Sequence, residues 1–201
     1  MVTPVTVFSD FACPASYVTE AALWELGGEV AVAYRAFELY PEGGSGGTAR
    51  FDDAEWNEIQ RLAGHAGVTI RPRADLPRTR KAHEAAHFAR EKGREIELRR
   101  AIFTSIWTGG RDVGRIDVLA DLADEVGLDA EDLRIALDID RYQADVDAEL
   151  ALARRLRVPG TPVVFVGTGS DARIIAGART GEDFSAELAL ADSQRNRTDH
   201  V

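Results

Sequence analysis

An α/β architecture with a helical segment set into it is the fold class this sequence predicts, and three observations carry the prediction. Strand-like, β-branched runs are confined to the two ends of the chain: Val5–Phe8 and Val30–Tyr34 at one, Val163–Val166 and Ala172–Ala178 at the other. Between Asp52 and Arg157 the texture is instead long, amphipathic and rich in helix formers, punctuated by glycines such as Gly64, Gly93, Gly114 and Gly127. The first two strands are separated by one helical stretch and the last two by a short turn, which predicts a parallel β-α-β unit and an antiparallel hairpin. The expected division is therefore 1–48 and 158–201 as two parts of one unit, with 49–157 as an inserted helical domain.

Each element has its own local reason. The run Val5-Thr6-Val7-Phe8-Ser9 is an apolar strand that ends at Asp10-Phe11-Ala12-Cys13-Pro14. Pro14 suits the first helical position, because its ring presets φ and its missing N–H would have had no intrahelical partner. That helix should end at Gly27-Gly28, and a second strand is expected from Glu29 to Tyr40 on the alternation of Val30, Val32, Tyr34, Phe37 and Leu39. The glycine-rich stretch Pro41 to Gly47 lacks the Gly-Lys-Ser/Thr ending of a phosphate loop and is expected to be a linker. Helical faces follow at Ile96, Ile102, Phe103, Ile106 and Trp107, then at Val118, Leu119, Leu122 and Val126, at Leu133, Ala136 and Leu137, and at Val146, Leu150 and Ala153. Val163–Val166 is continuously apolar, as in a strand buried on both faces. After the turn Gly167–Asp171 and the strand from Ala172 to Ala178, Thr180 with Asp183 three residues on has the spacing of a capping box and opens a last helix.

Composition limits the function classes. The chain has 201 residues, 45% of them hydrophobic, enough for a well-filled core without covalent staples. A net charge of −10 argues against nucleic acid or an anionic membrane as the main partner, since phosphate neutralisation needs clustered cations. No apolar run approaches the length of a membrane span, and no basic stretch followed by a long apolar run opens the chain, so the expected compartment is the cytoplasm. A single cysteine excludes an internal disulfide and fits a reducing compartment.

That cysteine, Cys13, stands at or beside a helix N-cap, where free N–H groups and the positive end of the helix dipole favour an anion. Such a setting lowers a thiol from roughly 8.5 to between about 3.5 and 7.5, and the expectation is an exposed, easily ionised sulfur. The competing reading is a small buried hydrophobe. Ser16, one helical turn on, is placed to hydrogen-bond a thiolate. The segment His83-Glu84-Ala85-Ala86-His87 matches the helix-borne zinc pattern, but no third ligand stands at a recognisable spacing. No metal is expected, and His83 and His87 should be surface or cleft-lining groups. Thr161-Pro162, at the head of the third strand, is by itself only a proline allowed where no ladder donor is needed.

Asp10-Phe11-Ala12-Cys13-Pro14-Ala15-Ser16-Tyr17 resembles the active-site segment of the DsbA family of thioredoxin-fold proteins, in its cytoplasmic branch. Tyr34-Arg35-Ala36-Phe37-Glu38-Leu39-Tyr40-Pro41, the inserted helices, and Gly160-Thr161-Pro162 before the final hairpin extend the resemblance over nearly the whole chain. The family usually shows Cys-Pro-x-Cys; here Ser16 replaces the second cysteine. The resemblance implies a thioredoxin fold with a large helical insertion, Cys13 as nucleophile, and a cis Pro162 facing it. It also implies that Pro14, Thr161 and Pro162 border the substrate, the backbone before Pro162 pairing with an extended thiol peptide or glutathione. Without a resolving sulfur, any cycle needs an outside thiol. The leading expectation is a monothiol thiol-disulfide oxidoreductase with no bound cofactor, glutathione as co-substrate, and a small thiol or disulfide-containing protein as substrate; a homodimer is compatible with it. A second expectation follows from resemblance to kappa-class glutathione transferases and 2-hydroxychromene-2-carboxylate isomerases, which usually carry serine where Cys13 stands. The third is a redox-silent thioredoxin-fold binding protein.

Overall fold

The computed structural model describes residues 2–41 and 51–198. The expected linker at Pro41 to Gly47 falls, apart from its first residue, outside the described residues. Strand β1 (Thr3–Ser9) runs parallel to β2 (Val30–Ala36) with Val5 opposite Val32 and Ser9 opposite Ala36, and helix α1 (Pro14–Glu25) makes the crossover. On the other side of β1 lies β3 (Val163–Val166), antiparallel, with Phe8 opposite Val163 and Val5 opposite Val166. Strand β4 (Arg173–Ala176) then pairs antiparallel with β3, so the sheet order is β2-β1-β3-β4. This is the thioredoxin-like α/β fold the sequence predicts, with β1 and β3 in the middle. Val5, Val7, Phe8, Val163, Val164 and Val166 are all buried, as strands covered on both faces require.

Between β2 and β3 come α2 (Asp53–His65), α3 (Arg80–Glu91), α4 (Glu95–Trp107), α5 (Ile116–Glu125), α6 (Ala130–Asp138) and α7 (Gln143–Arg155). Their core holds Phe88, Leu98, Ile102, Phe103, Ile106, Trp107, Leu119, Leu122, Leu133 and Leu137. Ile96 departs from the expected stripe: it lies in the first turn of α4 on the side away from this core and is 44% exposed. The last helix, α8 (Gly181–Thr198), returns over the sheet and buries Phe184 and Leu188. Its start is the capping box read from the sequence: Asp183 N–H donates to Thr180 Oγ1 at 3.2 Å, and the Asp183 carboxylate accepts from Thr180 N–H at 3.0 Å. Among the described residues no helix is long and apolar enough to cross a membrane.

Two strands are shorter than expected. The second was expected to reach Tyr40 but stops at Ala36, because its partner β1 ends at Ser9. Phe37 N–H makes the last bond to β1, donating to Ser9 O at 3.0 Å, and Leu39 N–H leaves the ladder for the Asp10 carboxylate at 2.7 Å. The fourth strand spans Arg173–Ala176 rather than 172–178, since Gly177 turns away with φ 79° while its N–H holds Pro162 O at 3.0 Å. These departures bend residues 37–40 and 177 toward the same end of the sheet, where β1 runs into α1.

Candidate functional site

Cys13 caps α1 in an extended conformation (φ −106°, ψ 115°), followed by Pro14 in the first helical turn. The turn that delivers it is organised by Asp10. Cys13 N–H donates to Asp10 O at 3.0 Å, and Ala12 N–H donates to Asp10 Oδ1 at 3.1 Å. Because β3 runs antiparallel to β1 with Val163 opposite Phe8, the residues just before Val163 pass the end of β1 from which this turn departs. Thr161 and Pro162 are thereby brought against Cys13: its Sγ donates to Thr161 O at 3.4 Å, and the Thr161–Pro162 peptide is cis.

Ser16 is fully buried beneath the sulfur. Its Oγ accepts the Asp10 N–H at 3.3 Å, which occupies a lone pair and leaves the O–H proton free for the sulfur. The structure therefore brings Cys13, Ser16, Thr161 and Pro162 together, with Pro14 buried on the first turn of the helix.

The expectation of an exposed, acidified thiol is corrected. Cys13 is only 5% exposed, and burial pushes its thiol up from the ordinary value, with the nearby Asp10 charge acting in the same direction. Hydrogen bonds from Ser16 and at Thr161 pull the other way but do not prevail. Magnitudes decide the sign. A helix terminus favours an anion by roughly 0.3–1 kcal/mol, up to about 2 when partly buried, whereas taking a charge out of water costs several kcal/mol. The resting sulfur is a thiol that donates to a carbonyl.

Around it stands a buried polar wall that the sequence did not reveal. His83 is 1% exposed; its Nε2 lies 3.2 Å from Phe37 O and 3.7 Å from Asp10 Oδ1, and its ring packs on Phe11 with centroids 4.9 Å apart. Tyr40 is half-buried, and burial with the Asp10 and Cys13 charges pushes its phenol up. Glu38, also pushed up by burial, pairs with Arg80 at 2.9 Å. His87 is buried as well, its Nε2 3.3 Å from Glu149 Oε2 without hydrogen-bond alignment. The expectation of surface histidines is thus corrected: α3 packs against α7, both rings are buried, and each meets a different carboxylate. Glu84 of the zinc-like pattern is taken by Lys81 at 3.2 Å, and among the described residues no group of three or more His, Cys, Asp or Glu could hold a metal ion.

Deeper still, Arg99 and Glu20 form a fully buried pair, with Arg99 Nε donating to Glu20 Oε2 at 2.6 Å and Arg99 Nη2 to Ser9 Oγ at 2.9 Å. The guanidinium lies between the rings of Phe11 and Tyr34, 4.7 and 4.6 Å from their centroids. Trp107 Nε1 donates to Phe11 O at 3.0 Å. The residues flanking Cys13 thus rest on a rigid polar and aromatic base. Its one signal in the sequence is Glu20 lying inside the apolar stretch Tyr17–Leu23.

Residues 4–189 match the family described as DSBA-like thioredoxin domain. The chain is 31% identical over 208 residues to the uncharacterized protein YwbO of Bacillus subtilis strain 168, covering 98% of this chain and 100% of that protein. Among solved structures, a probable DsbA oxidoreductase from Streptomyces coelicolor aligns at a TM-score of 0.78 and 28% identity, covering 95% of this chain and 90% of that one. A 2-hydroxychromene-2-carboxylate isomerase aligns at a TM-score of 0.74 and 18% identity, covering 98% and 99%, a likeness of fold.

Proposed function

The chain belongs to the DsbA-like thioredoxin domain family, and from that premise we propose that it is a monothiol thiol-disulfide oxidoreductase that works with glutathione in the cytoplasm. The observation that carries the reading is the 3.4 Å contact between Cys13 Sγ and the carbonyl of Thr161, the residue before the cis proline. It sets the one thiol of the chain beside backbone able to pair with an extended substrate. The probable DsbA oxidoreductase of Streptomyces coelicolor, similar over most of its length, supports the same class.

In this cycle the Cys13 thiol first gives its proton to solvent, and the thiolate attacks the glutathione sulfur of a mixed disulfide. The S–S bond breaks, the substrate thiolate leaves and takes a proton, and a Cys13–glutathione disulfide forms. A glutathione thiolate then attacks the glutathione sulfur of that disulfide, which releases oxidised glutathione and regenerates Cys13; glutathione is the reductant. Ser16 stabilises the thiolate when it forms, and no cofactor or metal takes part. The substrate class is a small or protein-borne disulfide.

One observation favours a second reading. A neutral, buried S–H is a hydrogen-bond donor like the serine hydroxyl of kappa-class transferases and chromene isomerases, and it would polarise a bound glutathione sulfur without exchanging with it. Mass spectrometry after incubation with oxidised glutathione separates the two. A glutathione adduct on Cys13, with turnover of a glutathione mixed disulfide abolished in Cys13→Ser, is the expected result. Tight glutathione binding without adduct would overturn it in favour of transfer or isomerisation, and neither adduct nor binding would leave a redox-silent module. Slow alkylation at neutral pH does not single out the silent module, because burial alone predicts it.

A further inference from the structure

Every polar group of Asp10 is engaged around the cysteine turn, although the residue is fully buried. Its carbonyl takes the Cys13 N–H at 3.0 Å and its N–H goes to Ser16 Oγ at 3.3 Å. Its carboxylate takes Ala12 N–H at 3.1 Å and Leu39 N–H at 2.7 Å. Three segments are tied at one residue: the strand end, the start of α1, and the stretch after β2 that carries Glu38 and Tyr40. A local turn would need only the Ala12 bond. The Leu39 bond and the imidazole of His83, 3.7 Å from Oδ1, set two polar partners against the carboxylate at the back of the site.

We propose that Asp10 is a positioning residue for Cys13: it fixes the cysteine turn, aims the Ser16 hydroxyl at the sulfur, and sets a carboxylate behind that sulfur with the His83 imidazole beside it. The groups bearing on this arrangement come from every packed element. Cys13 is faced by Ser16 of α1, by Thr161 before β3, and by Asp10 and Tyr40. Asp10 is faced by His83 of α3 and by Glu38, which answers to Arg80 and, beyond it, to Asp147 of α7. Asp10 is among the groups that hold the thiol up, in keeping with the geometry.

The inference rests on Cys13 as the reactive group, and its test reads the sulfur without requiring turnover. Alkylation by iodoacetamide is followed against pH in the full chain. Asp10→Asn keeps the shape and one acceptor while removing the charge; its midpoint should fall, with a rate at pH 7 roughly threefold higher and an alkaline plateau equal to or somewhat below the parent's. His83→Phe keeps the ring on Phe11 and removes the N–H beside the carboxylate; its midpoint should rise. An unmoved midpoint in Asp10→Asn overturns the proposal. If Asp10→Asn instead lifts the plateau, the turn has opened and His83→Phe decides: a rise upholds the proposal, while no rise overturns it. A protein that forms no glutathione adduct yet shows both midpoint shifts would sink the oxidoreductase reading and leave the role of Asp10 standing.

Discussion

Ser16→Ala isolates what the hydroxyl does when the second cysteine of the family pattern is missing. Ser16 is fully buried, its Oγ lone pair is held by the Asp10 N–H at 3.3 Å, and its hydrogen bonding opposes the rise of the Cys13 thiol. A hydrogen bond to a charged group is worth about 1.5–3 kcal/mol, so its loss should lower the thiolate population at fixed pH about 10- to 150-fold. The thiolate that remains is more basic and hence more nucleophilic. With a Brønsted slope of about 0.4–0.5, that returns nearly half of the logarithm. The net expectation is a rate of iodoacetamide alkylation at pH 7 about 4- to 16-fold lower than in the parent. At alkaline pH, where both sulfurs are ionised, the variant should equal or exceed the parent. The assay is the loss of free Cys13 by mass spectrometry across a pH series, and the crossing of the two curves is the diagnostic feature. An unchanged rate at pH 7 would refute the reasoning. So would a deficit of the same factor at every pH, which would mean that access to the sulfur had changed.

Two further perturbations test the frame behind the site. Glu20→Gln leaves the Arg99 guanidinium buried without its counter-charge, which should cost about 3–5 kcal/mol and lower Tm by on the order of 10 °C, whereas Glu20→Leu with Arg99→Met should recover most of the loss; thermal and urea melts decide. Glu149 is held down to about 2 against an ordinary 4.5, by His87, the Ala36 N–H at 2.7 Å and Arg35 at 3.0 Å, which together outweigh burial. A lowered carboxyl stabilises the folded state fully above its unfolded value, and the stabilisation is lost as pH falls from about 5 toward 2. Glu149→Gln should therefore cost about 3 kcal/mol at neutral pH, shrinking to about 0.4 kcal/mol near pH 2. A gap of constant size across that range, in urea melts at stepped pH, would rule the linkage out.

The fold was legible because its signals are local. Pro14 after Cys13, the Thr180 and Asp183 spacing, and the confinement of β-branched runs to the chain ends each act within a few residues, and each survives in the structure. The approach of Thr161 to Cys13 was implied only by the resemblance to the DsbA family, since the contact spans 148 positions. What failed was the polarity of the interior. Glu20, Arg99, His83 and Asp10 are residue types found on surfaces, and only Glu20, set in an apolar stretch, is marked by its neighbours. They are buried because each meets a complement contributed by a distant element, and no periodicity encodes that partner. The same ignorance of what closes over the cysteine turn led to the expected acid thiol, since a helix start favours an anion whether or not water reaches it.

The direction of the burial effect bears on the direction of the chemistry. A thiol that leaves a disulfide departs faster the lower its pKa, and a strong oxidant of this fold owes its power to a stabilised thiolate. Cys13 is the reverse case: its reduced form is a protonated sulfur bonded to the Thr161 carbonyl, and as a thiolate it is a poor leaving group. A mixed disulfide on Cys13 therefore resists release of Cys13 itself, so the attack of a glutathione thiolate on the outer, glutathione sulfur, which expels Cys13, is the slow step, and the Ser16 hydrogen bond to the departing thiolate eases it. That is the attack which completes the proposed cycle in the reducing direction. Ser16 fits this role better than a second cysteine would. A neighbouring thiol would attack the Cys13 sulfur and trap an internal disulfide, whereas a hydroxyl can only solvate the thiolate as it departs.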